Sequence, residues 1–153
     1  PDKLLEPEIH GKAVFHFNKH NAVGIPALDR DGLLTRMRAR VERLERRFDM
    51  FSCFVEKELN RGNAAEALSF YHRMVLESLV LVLRLKHSPA RYDFGTRYVY
   101  HDLPASVASR IEELYFVSDV DDLEAKYRAA ERWFHQALTE LDFADVQRKL
   151  KTP

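Results

Sequence analysis

Asp31-GLLTRMRARVERLERRFDMFSCFVEKELN-Arg61 is the stretch whose reading decides the fold. Leu34, Met37, Val41, Leu44, Phe48, Phe51, Val55 and Leu59 recur at steps of three and four, which brings their side chains to one face of a helix. A half-buried strand would alternate at every second residue, and this stretch does not. Arg36, Arg40, Arg43, Arg47 and Lys57 fall off the apolar stripe. The spacing predicts a long amphipathic helix from about Asp31 to Arg61. Asp29-Arg-Asp-Gly32 places an aspartate ahead of it as a cap, and Gly62 supplies the left-handed stop. Asn63 is expected to cap the next helix.

That second helix is predicted from about Ala64 to His87. Its far half, Val75-LESLVLVLR-Leu85, is apolar nearly all round, as a central helix must be. Ser88-Pro89 ends it, because a residue before proline is pushed away from helical angles. Pro104 suits the first turn of a short helix to about Val117, with Val107, Ile111, Leu114 and Tyr115 inward. Ser118 or Asp119 then caps a last long helix, with Asp121 and Asp122 at its positive end. Leu123, Tyr127, Ala130, Phe134, Ala137, Leu138 and Leu141 make its stripe. Upstream, Lys12-Ala-Val-Phe-His-Phe17 reads as a short strand in need of partners. The expected fold is all-α: an antiparallel bundle of three long helices and one short helix, with a short N-terminal β segment. Residues 1–28 are read as an N-terminal extension and residues 29–153 as the helical bundle domain.

The 153 residues suit one domain with a real core. Their 24 basic and 24 acidic side chains cancel, so no whole-chain field draws the protein to nucleic acid or an anionic membrane, although local patches stay open. One cysteine, Cys53, leaves no internal disulfide and fits a reducing cytosol. Its place in Phe51-Ser-Cys-Phe-Val55 predicts a buried structural thiol. Asp2, Glu6 and Glu8 interrupt any apolar leader, and Glu77 and Arg84 interrupt the most apolar run. A cytoplasmic location is expected. A start at Pro1, without methionine, suggests a piece excised from a longer protein.

Chemistry-bearing patterns are sparse. There is no phosphate-binding glycine loop, no cysteine pair for zinc, no Gly-x-Ser-x-Gly elbow and no His-Glu-x-x-His. These absences weigh against an enzyme complete in itself. Asp29 with Asp31, and Asp119 with Asp121, could each hold magnesium, but both pairs sit at helix starts where capping alone favours aspartate. His10, His16 and His20 are read as surface histidines rather than a metal set.

Two places stand out. Glu77 puts a carboxylate in the most apolar helix, where it is either paired at a rim or lining a cleft as a hydrogen-bond acceptor. The connection from Arg91 to His101 gathers Arg91, Tyr92, Phe94, Arg97, Tyr98, Tyr100 and His101, and guanidinium groups with aromatic faces suit phosphate and ring recognition. The competing reading staples this loop to the bundle, with Arg91 and Arg97 paired to Asp93 and Asp102.

Ser88-PARYDFGTRYVYHDL-Pro104 after an apolar helix, then Ile111-EELYF-Val117 and the helix from Leu123 to Leu138, resembles a known arrangement. It is similar to the helical C-terminal, substrate-binding domain of bacterial nucleotidyltransferases of the DNA-polymerase-β-like superfamily, related to the aminoglycoside nucleotidyltransferases. Asp29-Arg-Asp-Gly-Leu-Leu34 looks like the passage into that domain, so the likeness covers about Asp29 to Leu141. The family's Gly-Ser helix start and strand-borne Asp-x-Asp, which hold magnesium and nucleotide, are not present as a set. The resemblance therefore implies an acceptor-binding domain without its catalytic domain, not active alone. Glu77, Arg91, Tyr92, Arg97, Tyr98 and His101 would meet a small-molecule hydroxyl acceptor. Magnesium and a nucleoside triphosphate would belong to the full-length enzyme. The alternatives are a protein-interaction or dimerisation domain with the arginine face of the first helix at its rim, and a HEPN-type ribonuclease. The last rests on Arg128 and His135, whose spacing resembles that family's Arg-x4–6-His, with Ala129 where a polar residue is usual.

Overall fold

The computed structural model describes residues 29–151 together with His16, and every regular element among them is a helix. The strand expected at 12–17 therefore lies outside the described residues apart from His16, as do His10 and His20. No helix among the described residues is long and apolar enough to cross a membrane.

The first predicted helix is realised as α1 (Arg30–Phe51) and α2 (Cys53–Asn60). The join is slight: Ser52 keeps helical angles of φ −59° and ψ −36°, and its N–H donates to the Phe48 carbonyl at 2.9 Å. Leu34, Met37, Val41, Leu44, Phe48 and Val55 are buried as the spacing requires, and Leu33 joins them. The Asp29 carboxylate accepts from the Gly32 N–H at 2.9 Å, which settles that aspartate as a cap. Gly62 takes φ +75°, an angle that side-chain-bearing residues rarely hold, and so ends α2.

Helix α3 (Ala64–Phe70), a π-helical turn (Tyr71–Leu76) and α4 (Glu77–His87) follow without a break. The Glu77 N–H reaches back to the His72 carbonyl, one residue further than an α-helix would. Every residue from Ser78 to Leu85 is buried, as the nearly continuous apolar run predicts. After a short turn at Pro89–Arg91 come α5 (Val99–Asp102), α6 (Ala105–Tyr115), α7 (Val120–Thr139) and α8 (Phe143–Lys151). Asp119 caps α7 by accepting from the Asp122 N–H at 2.9 Å, while Asp122 accepts from the Ser118 N–H at 2.9 Å.

The core joins the first helices to the last. Phe48 stacks on Phe134 with ring centroids 3.8 Å apart, Arg38 lies over the Phe143 ring at 4.3 Å, and the Arg30 Nε donates to the Leu150 carbonyl at 2.8 Å. Burying Phe48 and Phe134 contributes roughly 2–3 kcal/mol each. The Tyr71 hydroxyl, inside the same core, donates to the Leu114 carbonyl at 2.8 Å and ties the π turn to α6.

Four local expectations need correction. Cys53 is exposed, not buried: two residues from Phe51 and from Val55, it points away from their face. Asn63 does not cap α3; its amide donates instead to the buried Glu58 carboxylate at 2.8 Å. The last long helix stops at Thr139, and Leu141 lies in the link to a further helix, α8, that the apolar pattern did not announce. The connection after Pro89 is also not all loop, since it contains α5.

Candidate functional site

The segment from Arg91 to Asp102 is held from inside by Arg84. A single arginine within an apolar helix must find partners for all its donors or lose several kcal/mol. Arg84 has 0% exposure and finds them in the loop. Its Nε donates to the Gly95 carbonyl at 2.5 Å, one Nη to the Arg91 carbonyl at 3.3 Å, and the other Nη to the Arg97 carbonyl. It also meets the Asp102 carboxylate at 2.9 Å. The loop is thus wrapped around one guanidinium.

Asp102 is the acidic half of this lock. Its other carboxylate oxygen accepts from Arg91 at 2.8 Å and lies 3.1 Å from the His101 Nδ1. Burial alone would raise its pKa, but hydrogen bonds from Arg84 and His101 and the positive charges of Arg91 and Arg84 outweigh that, so it lies below the ordinary carboxylate range.

A groove of about 480 Å³ opens between this loop and the helices. Helix α4 contributes Glu77, Val80 and Leu81; the loop contributes Tyr92, Asp93, Phe94, Gly95 and Thr96; Arg40 of α1 and Tyr115 of α6 complete it. Glu77 is exposed to this space at the end of the π turn. Burial, and the negative charge of Glu77, push the Tyr115 phenol up to about 12, so it is a hydrogen-bond donor at any cellular pH. Behind it the His72 ring stacks on Tyr115 at 5.5 Å. The groove therefore offers two carboxylate acceptors, a guanidinium, a phenol donor and aromatic faces.

Of the six residues expected to contact substrate, Glu77 and Tyr92 line the groove. Arg91 is engaged with Asp102 at its back. Arg97 and Tyr98 form an outer cluster instead, with the Arg97 guanidinium 5.4 Å from the Phe94 ring centroid and 5.7 Å from that of Tyr98. Tyr98 takes a left-handed φ of 59° at the start of α5. His101 is exposed beside Asp102. The stapled-loop pairing is half right: Arg91 does meet Asp102, while Arg97 stacks on rings. Arg40, Asp93 and Tyr115 line the groove although the sequence marks them only as an off-stripe arginine, a loop ion-pair partner and an inward helix residue, and it marks Arg84 only as an interruption of an apolar run.

The remaining candidates have other partners. Arg128 pairs with Glu56 at 2.9 Å and with Glu131 at 3.8 Å, while His135 sits edge-on to Phe48 and Phe134. Among the described residues, no three His, Cys, Asp or Glu side chains gather as a metal set would. No family model matches the chain, and neither a curated protein nor a solved structure matches it.

Proposed function

We propose that this chain is the acceptor-binding helical domain of a nucleotidyltransferase, with the groove beside Tyr92 as one wall of the substrate cleft. The observation that carries this reading is the meeting of Glu77 of α4 and Tyr92 of the Arg/Tyr-rich loop on one open groove, with Arg40 of α1 and Tyr115 of α6 on either side of them in the sequence. Carboxylates flanked by aromatic rings suit an acceptor carrying hydroxyl groups, which donate to Glu77 or Asp93 while apolar faces rest on Tyr92 and Phe94. The proposed frame is a bundle whose first helices run against its last. It is supported by the order of contacts: Arg30 with Leu150, Arg38 with Phe143, Phe48 with Phe134 and Glu56 with Arg128.

Magnesium, in such an enzyme, neutralises the phosphates of the nucleotide when bound. Asp29 and Asp119 are engaged as helix caps, and among the described residues no third ligand joins them. Metal and nucleotide are assigned to a separate catalytic domain. The first test is the coding sequence ahead of Pro1. A Gly-Ser helix start and an Asp-x-Asp within it support the reading, and an initiator methionine directly before Pro1 ends it. With a catalytic domain present, Glu77→Gln is expected to lower kcat/KM for the acceptor about tenfold and leave the KM for nucleotide unchanged. Equal loss for both substrates counts against a cleft-wall role.

A second reading, an interaction domain, is favoured by Phe116 and Tyr100, which are 70% and 67% exposed. Sedimentation of the chain would show a stable oligomer under that reading. A strict monomer at all concentrations removes its homodimer form.

A further inference from the structure

The proposed function leaves the arginine row of α1 unused. Arg36, Arg40, Arg43 and Arg47 stand four, three and four residues apart, so they share one helix face over about 16 Å. All four are exposed. No Asp or Glu stands three or four residues from any of them, whereas Glu42, Glu45 and Asp49 fall on another side of the helix. Among the described residues none of the four makes an ion pair. Among the described residues Arg47 donates to the Met74 sulfur, at 3.4 Å, a weak acceptor. Like charges one turn apart weaken a helix, so the row is kept at a cost that no carboxylate among the described residues offsets by an ion pair.

We infer that the row binds the phosphate backbone of a single-stranded nucleic acid, whose end enters the neighbouring groove as the acceptor. Planar guanidinium groups match phosphate oxygens, and a row of about 16 Å is longer than the triphosphate of one nucleotide. Arg40 joins the two features, since it belongs to the row and also lines the groove. There Tyr92, Phe94 and Tyr115 offer ring faces for a base, and Glu77 and Asp93 accept from base N–H groups. Whole-chain neutrality does not oppose this, because binding depends on local charge within a screening length of about 8–10 Å. The groove half of the inference rests on the acceptor reading; the row does not.

The test is fluorescence anisotropy of a labelled oligothymidylate of about 12 nucleotides, within the span of known single-strand sites. Four phosphate contacts predict that log affinity falls against log salt with a slope of about −3. Arg40→Gln with Arg43→Gln should weaken binding at least about tenfold and reduce the slope by about 1.4. Arg132→Gln with Arg148→Gln removes the same charge elsewhere and should change binding less than twofold; circular dichroism checks that both variants fold. No binding at low salt, equal loss in the two variants, or full displacement by equimolar ATP each overturns the strand proposal. Failure here leaves the acceptor reading standing, because that reading is tested by transfer to hydroxyl compounds and by the upstream sequence.

Discussion

The guanidinium of Arg84 lies wholly inside the helical core and gives its donors to three loop carbonyls and Asp102, whereas those of Arg36, Arg40, Arg43 and Arg47 are exposed and make no ion pair among the described residues. The two regions use one residue type in opposite ways. Burial makes a charge expensive, so it persists only where every donor is satisfied, and a satisfied buried arginine fixes the backbone around it. Exposure makes the charge cheap but leaves it available. Arg84 shapes the wall of the groove, and the row presents charge beside its mouth.

Breaking the first half of this contrast should have the largest effect. Arg84→Met keeps much of the side-chain volume but leaves Asp102 and three carbonyls short of a donor. It should cost about 3–5 kcal/mol, read as a fall in the urea midpoint. Arg84→Lys retains charge and one point of contact and should recover only part of that loss. A change below about 1 kcal/mol for Arg84→Met would mean that the loop is fixed by its aromatics instead.

A middle-sized effect should follow from Asp102. Its pKa is lowered in the folded chain, so its contribution is complete above the unfolded value of about 3.9 and disappears as pH falls through the lower folded value. The urea midpoint of the protein should therefore drop on acidification below about pH 4. Asp102→Asn should cost about 2 kcal/mol at neutral pH and flatten that acid-side slope. An unchanged slope in the variant would remove Asp102 from the lock.

How far the two regions were legible in the sequence follows from the same distinction. The row is visible at once, because helical periodicity sorts Arg36, Arg40, Arg43 and Arg47 from the apolar stripe of α1. Arg84 is not, because its partners are mostly backbone carbonyls of residues 91, 95 and 97, and a carbonyl carries no sequence signal. Glu77 and Tyr92 could be named as candidates, but Arg40 and Tyr115 join them only through packing of α1 and α6. Helix α8 has just Val146 and Leu150 buried, too few apolar positions for periodicity to register. Its one early sign is Asp142, whose carboxylate accepts from the Ala144 N–H at 2.8 Å. Cys53 misled because composition of a short run says nothing about phase; its distance from the stripe residues does.

The smallest effect should also be the most discriminating, because its sign is opposite to the others. Arg43 has Arg40 three residues before it and Arg46 and Arg47 three and four residues after, so it takes part in three like-charge contacts on α1. Arg43→Glu replaces all three by attractive contacts and should raise stability by about 0.5–1 kcal/mol, an effect reduced by salt. The same change should weaken oligothymidylate binding more than Arg43→Gln does. A stability gain joined to a binding loss is what a surface kept for a ligand, against the preference of its own helix, must show. If Arg43→Glu instead lowers stability, Arg43 has a carboxylate partner within the chain, and the row belongs with Arg84 as part of the scaffold.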